Sequence, residues 1–249
     1  MIYVCVTARN NASTVGLLLW KLRKVFLEFP REYHILVADD GSSDGTTETL
    51  ETYQRALPMT LVRQRGGSGY GASLEALLRD ALGRTDRPKR DCAVTLPASF
   101  AVSPAVLPEL VKRFESGADV VVGETAPHNT PLGMRLVRWS APWLLRPGVN
   151  LPGVRDFSSG VCAIRLITLK NCLRDQDRAL LECEGPCAHA ELLARAAVKA
   201  RQISVIPLPA GARRALPGTS GNALALALSL YRAGRQLRIP TPTAPVQRS

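Results

Sequence analysis

The sequence predicts a single α/β domain with a mainly parallel central sheet flanked by helices. Short apolar segments alternate with longer segments in which apolar residues recur every three or four positions. Strands that alternate with helices of this length form right-handed βαβ units, which place the strands parallel. The 249 residues suffice to bury a sizeable core, and no linker is long enough to divide the chain.

The first half of the chain carries the regular alternation. Strands are expected at residues 2–7, 33–38, 60–63, 92–96 and 119–122, which are rich in Val, Ile and Leu. Helices are expected between them, near 15–29, 44–55, 74–82 and 106–114. The first is the clearest, because Val15, Leu18 and Leu22 share one helical face.

The second half is less regular. Strands are expected at 157–164 and 202–207, and helices near 167–173, 189–199 and 222–235. The tail over 239–249 is rich in Pro and Thr and is expected to be disordered. The domain is therefore placed at residues 1–238.

The charge balance favours an anionic partner. There are 32 Lys and Arg residues against 21 Asp and Glu, a net charge of +11, and nearly all the excess is Arg. Nucleotide phosphate, lipid phosphate and nucleic acid would each suit this charge, while a bias toward Arg and Ala in the genome explains it equally well. No helix-turn-helix, zinc-finger or RNA-recognition signature occurs, so no nucleic-acid partner is expected.

The cysteines and apolar runs indicate a cytoplasmic chain. We find no signal peptide, and the six cysteines are expected to be reduced. Cys183 and Cys187, near His189, leave a zinc site open, although no second cysteine pair follows. No apolar run approaches the ~20 residues of a membrane-spanning helix, so any membrane contact is expected to be peripheral, at the inner face. Residues 135–146 interleave Trp, Leu and Arg, which suits either an interfacial helix or packing against the sheet.

An acidic pair closes the second strand. Asp39 and Asp40 follow an apolar run and precede a turn of Gly and Ser that opens a helix. Acids at the carboxyl end of a buried strand usually face a ligand crevice, and neighbouring hydroxyl and backbone N–H groups suit a phosphate-bearing ligand. The same residue types also serve as plain helix caps, and that alternative stays open.

Several ordered segments carry a family resemblance. Residues 37–46 read V-A-D-D-G-S-S-D-G-T, close to the signature V-D-D-G-S-x-D-G-T. Residues 2–11, 69–74 and 117–123 match an opening strand and loop, a G-x-G helix start and a G-A-D-V-V-x-G strand. Residues 156–165 are similar to the D-x-x-S-G-F-R-A-x-R run of dolichyl- and polyprenyl-phosphate sugar synthases. In this order the segments resemble glycosyltransferase family 2, with the GT-A fold.

The resemblance implies an inverting transfer of a sugar from a nucleotide-diphosphate donor to an acceptor, either a lipid phosphate or a membrane-linked glycan. Positions that match nucleotide-sugar-binding residues of the family are Thr7, Ala8, Asn10, Asp39, Asp40, Gly69, Ser99 and Arg214. Thr7, Ala8 and Asn10 would line the base pocket. Asp39 would accept a hydrogen bond from the base, and Asp40 would fix the ribose or the loop. Glu191 and Asp156 are the candidate catalytic carboxylates, with a solvated helical Glu as the alternative for Glu191.

The chain departs from the family at its metal motif. An acid-any-acid triplet that holds Mg²⁺ or Mn²⁺ is replaced by Pro97-Ala98-Ser99, so no metal ligands are expected. Arginines could neutralise the diphosphate instead. The candidates for this role are Arg9, Arg65, Arg213 and Arg214. The alternative is a non-catalytic protein that still binds a nucleotide or sugar.

Overall fold

The computed structural model describes residues 1–64, 67–125, 140, 148–156, 159–174, 179–208 and 223–248. The strands in this part are β1 (Ile2–Ala8), β2 (Tyr33–Asp39), β3 (Met59–Arg63), β4 (Cys92–Pro97), β5 (Val120–Thr125), β6 (Cys162–Arg165), β7 (Ile203–Leu208) and β8 (Val246–Arg248). The helices are α1 (Ala12–Glu28), α2 (Thr46–Gln54), α3 (Gly69–Arg84), α4 (Leu107–Glu115), α5 (Leu166–Arg174), α6 (Pro186–Lys199) and α7 (Ala223–Gln236).

The strands form one eight-stranded sheet in the order β3-β2-β1-β4-β6-β5-β7-β8. All pairings are parallel except those of β6, which runs antiparallel to β4 and β5. The predicted α/β domain with a mainly parallel sheet is confirmed. The reversal of strand order between β1 and β4 opens a crevice at their carboxyl ends, where α/β proteins usually bind ligands.

Helices cover both faces of the sheet. Because successive side chains of a strand alternate between faces, Val4 and Val6 pack on one side and Tyr3 and Cys5 on the other. One core includes the apolar stripe of α1 and the buried face of α4, and the other includes α3, α5 and α6. All six cysteines are buried, as is usual for small apolar side chains.

Two segments differ from the sequence prediction. The strand expected at 157–164 begins only at Cys162, because Gly160 turns the backbone with a φ of 70° and Ser159 Oγ accepts from the Val161 N–H. The tail was expected to be disordered, and the structure describes its residues Val246–Arg248 as the strand β8. These residues extend the sheet by pairing with the edge strand β7, whose backbone groups would otherwise lack partners on that side.

The described helices include no membrane-crossing candidate, because none is both long enough and apolar enough. The proposed interfacial segment at 135–146 lies outside the described residues, apart from Ser140.

Candidate functional site

A cavity of about 300 Å³ opens at the carboxyl ends of β1 and β4, next to the loop that follows β2. Its walls come from the strand ends, the first turn of α3 and the start of α6. The lining residues are Thr7, Ala8, Arg9, Asn11, Asp40, Tyr70, Ser73, Pro97, Ala98, Ser99, Gly160, Gly185, Pro186 and His189. Of the predicted binding residues, Thr7, Ala8, Asp40 and Ser99 therefore share this cavity.

Asp40 joins three parts of the cavity wall. Its carboxylate accepts hydrogen bonds from the backbone N–H of Ser68 at 2.9 Å and of Gly69 at 3.2 Å. Arg9 Nη1 lies 3.4 Å from Asp40 Oδ2. Gly69 adopts a φ of +87°, a backbone conformation that glycine adopts at little cost. Asp40 thus fixes the start of α3 and holds an arginine at the cavity.

Asp39 serves the turn after β2. Its Oδ1 accepts from the Ser42 N–H at 3.0 Å, and its Oδ2 accepts from Thr47 Oγ1 at 2.5 Å. Asn10 lies on the same turn, where its Oδ1 accepts from the Ser43 N–H. Neither side chain is among the lining residues, and Asn11 occupies the wall instead. Asp39 therefore stabilises the turn between β2 and α2, whereas Asp40 lies in the cavity wall.

The segment after β4 forms another part of the cavity wall. Thr14 Oγ1, on α1, donates to the Ala98 carbonyl at 2.8 Å and holds this segment against the helix. Ser99 is 4% exposed, and its hydroxyl has no hydrogen-bond partner in the described chain. A buried hydroxyl without a partner is uncommon in folded proteins and calls for an explanation.

His189, in the first turn of α6, lines the cavity, a place that the sequence analysis did not give it. It is 1% exposed, and neither ring nitrogen has a hydrogen-bond partner in the described chain. Burial lowers the pKa of His189 to about 4, although Asp156 opposes this shift. The imidazole is therefore neutral near pH 7, with one N–H donor and one bare nitrogen acceptor. The available signal was the single histidine of a helix in which half of the residues are Ala or Leu.

The buried imidazole predicts a pH-dependent stability. The unfolded chain binds a proton at His189 below pH ~6.5 and the folded chain only below about 4, so acid favours unfolding between these values. We expect this group to lower the free energy of unfolding by roughly 3 kcal/mol across that window and to contribute nothing above it. Urea unfolding of the wild type and of His189→Leu from pH 4 to 8 measures this. An identical pH slope for both proteins would contradict the assignment.

The two candidate catalytic carboxylates are held by the protein itself. Glu191 is fully buried, and its Oε2 accepts from the N–H groups of Glu182 and Cys183, each at 2.9 Å. Its Oε1 pairs with Arg195 at 2.5 Å. Asp156 Oδ2 accepts from the Thr125 N–H at 3.1 Å. Neither acid is among the lining residues, so we do not assign either as a base.

The other predicted positions fall into two groups. Gly69 contributes its N–H to Asp40, and its neighbour Tyr70 lines the cavity. Arg65, Arg213 and Arg214 lie outside the described residues. Of the proposed arginines, Arg9 is the one that the described structure places at the cavity.

The donors at the cavity do not fit the divalent metal typical of the family. Pro97 has no side-chain atom that could bind a metal, and Ser99 offers a single neutral hydroxyl. The carboxylate of Asp40 already accepts hydrogen bonds from two backbone amides and pairs with Arg9. Within the described ranges, no cluster of three or more His, Cys, Asp or Glu side chains could hold a metal ion. Hard cations require several oxygen ligands, which these lining residues do not supply.

Comparison with known sequences identifies the family. The model of "Glycosyl transferase family 2" matches residues 3–168, which include β1 to β6 and most of the cavity wall. The chain belongs to glycosyl transferase family 2.

Curated relatives of this family 2 chain are about a quarter identical to it over the aligned residues. The dolichol-phosphate mannosyltransferase of Pyrococcus furiosus is 26% identical over 141 residues, which are 53% of this chain and 38% of the relative. The dodecaprenyl-phosphate galacturonate synthase of Rhizobium johnstonii is 23% identical over 161 residues, which are 63% of this chain and 44% of the relative. The chain thus spans less than half the length of either relative.

Solved structures share the fold. Glucosyl-3-phosphoglycerate synthase from Mycobacterium tuberculosis, in complex with phosphoglyceric acid, superposes with a TM-score of 0.66 at 18% identity, covering 95% of this chain and 80% of that one. S. aureus TarS 1–349 in complex with UDP-GlcNAc gives a TM-score of 0.58 at 19% identity, covering 89% of this chain and 61% of that one. At these identities the likeness concerns architecture.

Proposed function

We propose that this protein transfers a sugar from a nucleotide-diphosphate donor to a polyprenyl phosphate at the cytoplasmic face of a membrane. The observation that carries the proposal is the cavity at the carboxyl ends of β1 and β4, walled by Asp40, Arg9 and Ser99, in a family 2 chain. The matched relatives named for dolichol phosphate and dodecaprenyl phosphate support the choice of acceptor class.

The leaving diphosphate needs positive charge, and the chain offers two sources. Arg9 is the one cationic side chain among the described lining residues, and Asp40 holds it at the cavity. The start of α6 also meets the cavity through Gly185 and Pro186, and no side chain caps this helix end. Because the N-terminus of a helix carries partial positive charge, it stabilises a nearby anion. Together these groups oppose the charge that develops on the leaving group.

The described lining residues offer few side chains that could act as a general base, and this favours a phosphate as the acceptor. A hydroxyl acceptor needs a general base, whereas a lipid phosphate already carries a nucleophilic oxyanion. Asp40 is the single carboxylate among the described lining residues, and its oxygens accept from Ser68 and Gly69. A phosphate oxygen attacking the anomeric carbon from the side opposite the diphosphate would give inverted stereochemistry.

The test is a transfer assay with the full chain. UDP-glucose, UDP-GlcNAc and GDP-mannose are each incubated with undecaprenyl phosphate in lipid vesicles, with either EDTA or Mn²⁺. We expect release of nucleoside diphosphate and formation of an extractable glycolipid from one donor, at equal rates in both conditions. Donor binding without any turnover would instead indicate a binding protein, and turnover that needs Mn²⁺ would contradict the charge assignment.

Arg9→Ala is expected to lower kcat by about tenfold to a hundredfold, because a charge-assisted hydrogen bond contributes about 1.5–3 kcal/mol. Arg9→Lys should recover part of the rate, since it keeps the charge but loses the planar fork. Arg79→Ala is the control, because Arg79 pairs with Glu75 away from the cavity wall. Steady-state rates of nucleoside diphosphate release give the comparison. Equal rates for Arg9→Ala and Arg79→Ala would remove Arg9 from the mechanism.

A further inference from the structure

Two buried polar side chains in the cavity lack partners in the described chain. They are the Ser99 hydroxyl, 4% exposed, and the His189 imidazole, 1% exposed. Burying such groups without hydrogen bonds is unfavourable, so their retention needs a compensating interaction. Since both line the same cavity, a ligand bound there can supply the missing bonds to both.

Ser99 lies on the opposite side of β1 from Asp40, which the family resemblance assigns to nucleotide-sugar binding. Asp40 follows β2, which is next to β1 on one side, whereas Ser99 follows β4, which is next to β1 on the other side. His189 approaches from α6, together with Gly185 and Pro186. A ligand that reaches from Asp40 to Ser99 therefore crosses the end of β1, where Arg9 lies.

The chemistry of the pair selects the ligand group. A neutral imidazole has one donor and one acceptor nitrogen, and a serine hydroxyl both donates and accepts. A phosphate oxygen only accepts, so it would leave the bare imidazole nitrogen unsatisfied. One imidazole and one hydroxyl are also too few ligands for a hard cation. A sugar ring carries adjacent hydroxyl groups that both donate and accept, which matches the pair.

We propose that Ser99 and His189 form a neutral subsite that binds the hydroxyl groups of the donor's sugar, in the place where acids would hold a metal. The inference rests on the proposed function, because it assumes a nucleotide-sugar donor in the cavity. It assigns specificity for the sugar to Ser99 and His189, and it leaves the charge of the diphosphate to Arg9 and the start of α6.

Calorimetric titration in EDTA tests the subsite. The ligands are UDP, UDP-glucose, GDP and GDP-mannose, and the variants are His189→Leu and Ser99→Ala. For the donor that binds, each variant should lose about tenfold in affinity, the value of one neutral hydrogen bond. Affinity for the matching free nucleoside diphosphate should stay unchanged.

Ser204→Ala is the matched control. Ser204 is also buried, at 3% exposed, but it lies on β7 and does not line the cavity. It should bind the donor as the wild type does. The melting temperature supplies a second readout: His189→Leu should melt at the wild-type temperature or above it, since it removes a buried group without partners.

The outcomes distinguish the two proposals. Wild-type protein that binds none of these nucleotide sugars would overturn both the proposed function and the subsite. Donor binding that neither variant weakens would overturn the subsite alone. An equal loss for donor and free nucleoside diphosphate would assign the pair to the nucleotide. A lower melting temperature with uniform loss of binding would reduce the pair to a structural role.

Discussion

Asp40→Asn is expected to weaken nucleotide binding by about tenfold to a hundredfold, the equivalent of about 1.5–3 kcal/mol. The asparagine amide keeps the size of the side chain but loses the charge and one acceptor oxygen. The N–H groups of Ser68 and Gly69 and the guanidinium of Arg9 would then compete for the remaining oxygen. Because these groups form the cavity wall, a loss at Asp40 changes the shape and the charge of the site together.

Asp44→Asn is the matched control for Asp40→Asn. The Asp44 carboxylate also accepts from two backbone N–H groups, those of Ala12 and Thr46, each at 3.0 Å. Asp44 lies in the same turn region as Asp40 but does not line the cavity. Both substitutions should lower the free energy of unfolding, by about 1–3 kcal/mol for each amide left without an acceptor. Only Asp40→Asn should also weaken binding, as measured by calorimetric titration of UDP and GDP.

The fold could be predicted from the sequence because it depends on periodicity. Val4, Val6 and their neighbours alternate between the two faces of β1, and Val15, Leu18 and Leu22 form the stripe of α1 that covers one face. Such patterns are local in the sequence and survive in the structure. The edge strand β8 escaped prediction because its three residues gain stability only by pairing with β7, which is distant in sequence.

The site was predicted only in part, because contacts between residues far apart in the sequence decide which side chains line the cavity. Asp39 and Asp40 are adjacent and chemically identical, yet Ser42 and Thr47 engage the first while Ser68 and Gly69 engage the second. No local pattern indicates which of the two acids lines the cavity.

The local sequence also did not predict which of Glu191 and His189, both on α6, reaches the cavity. Glu191 was a candidate catalytic carboxylate, and in the structure Arg195, one turn later, pairs with it within the protein. That i,i+4 spacing was visible in the sequence and favours an ion pair on the helix. His189, two residues before Glu191, reaches the cavity instead.

The close approach of α3 to the segment before α6 is as important to the cavity as its polar groups. A Cβ atom at Gly71 would lie 2.4 Å from the Cys183 carbonyl oxygen, nearer than any real contact. The Cys183 backbone cannot easily yield, because its N–H donates to the buried carboxylate of Glu191. The Gly71 N–H itself donates to Glu184 Oε2 at 3.0 Å, which ties the two segments together.

Gly71→Ala should therefore lower the free energy of unfolding by about 2–3 kcal/mol, as overpacking of a tight contact does. Gly83→Ala, in the same helix, should raise it by about 0.5–1 kcal/mol, because nothing lies within 4 Å of its Cβ position and alanine favours helix. Urea unfolding measures both. If Gly71→Ala were as stable as Gly83→Ala, α3 could not pack as closely as the cavity requires. Because Tyr70 and Ser73 line the cavity from α3, and Gly185 and Pro186 line it from the opposite segment, Gly71→Ala should also weaken nucleotide binding while Gly83→Ala leaves it unchanged.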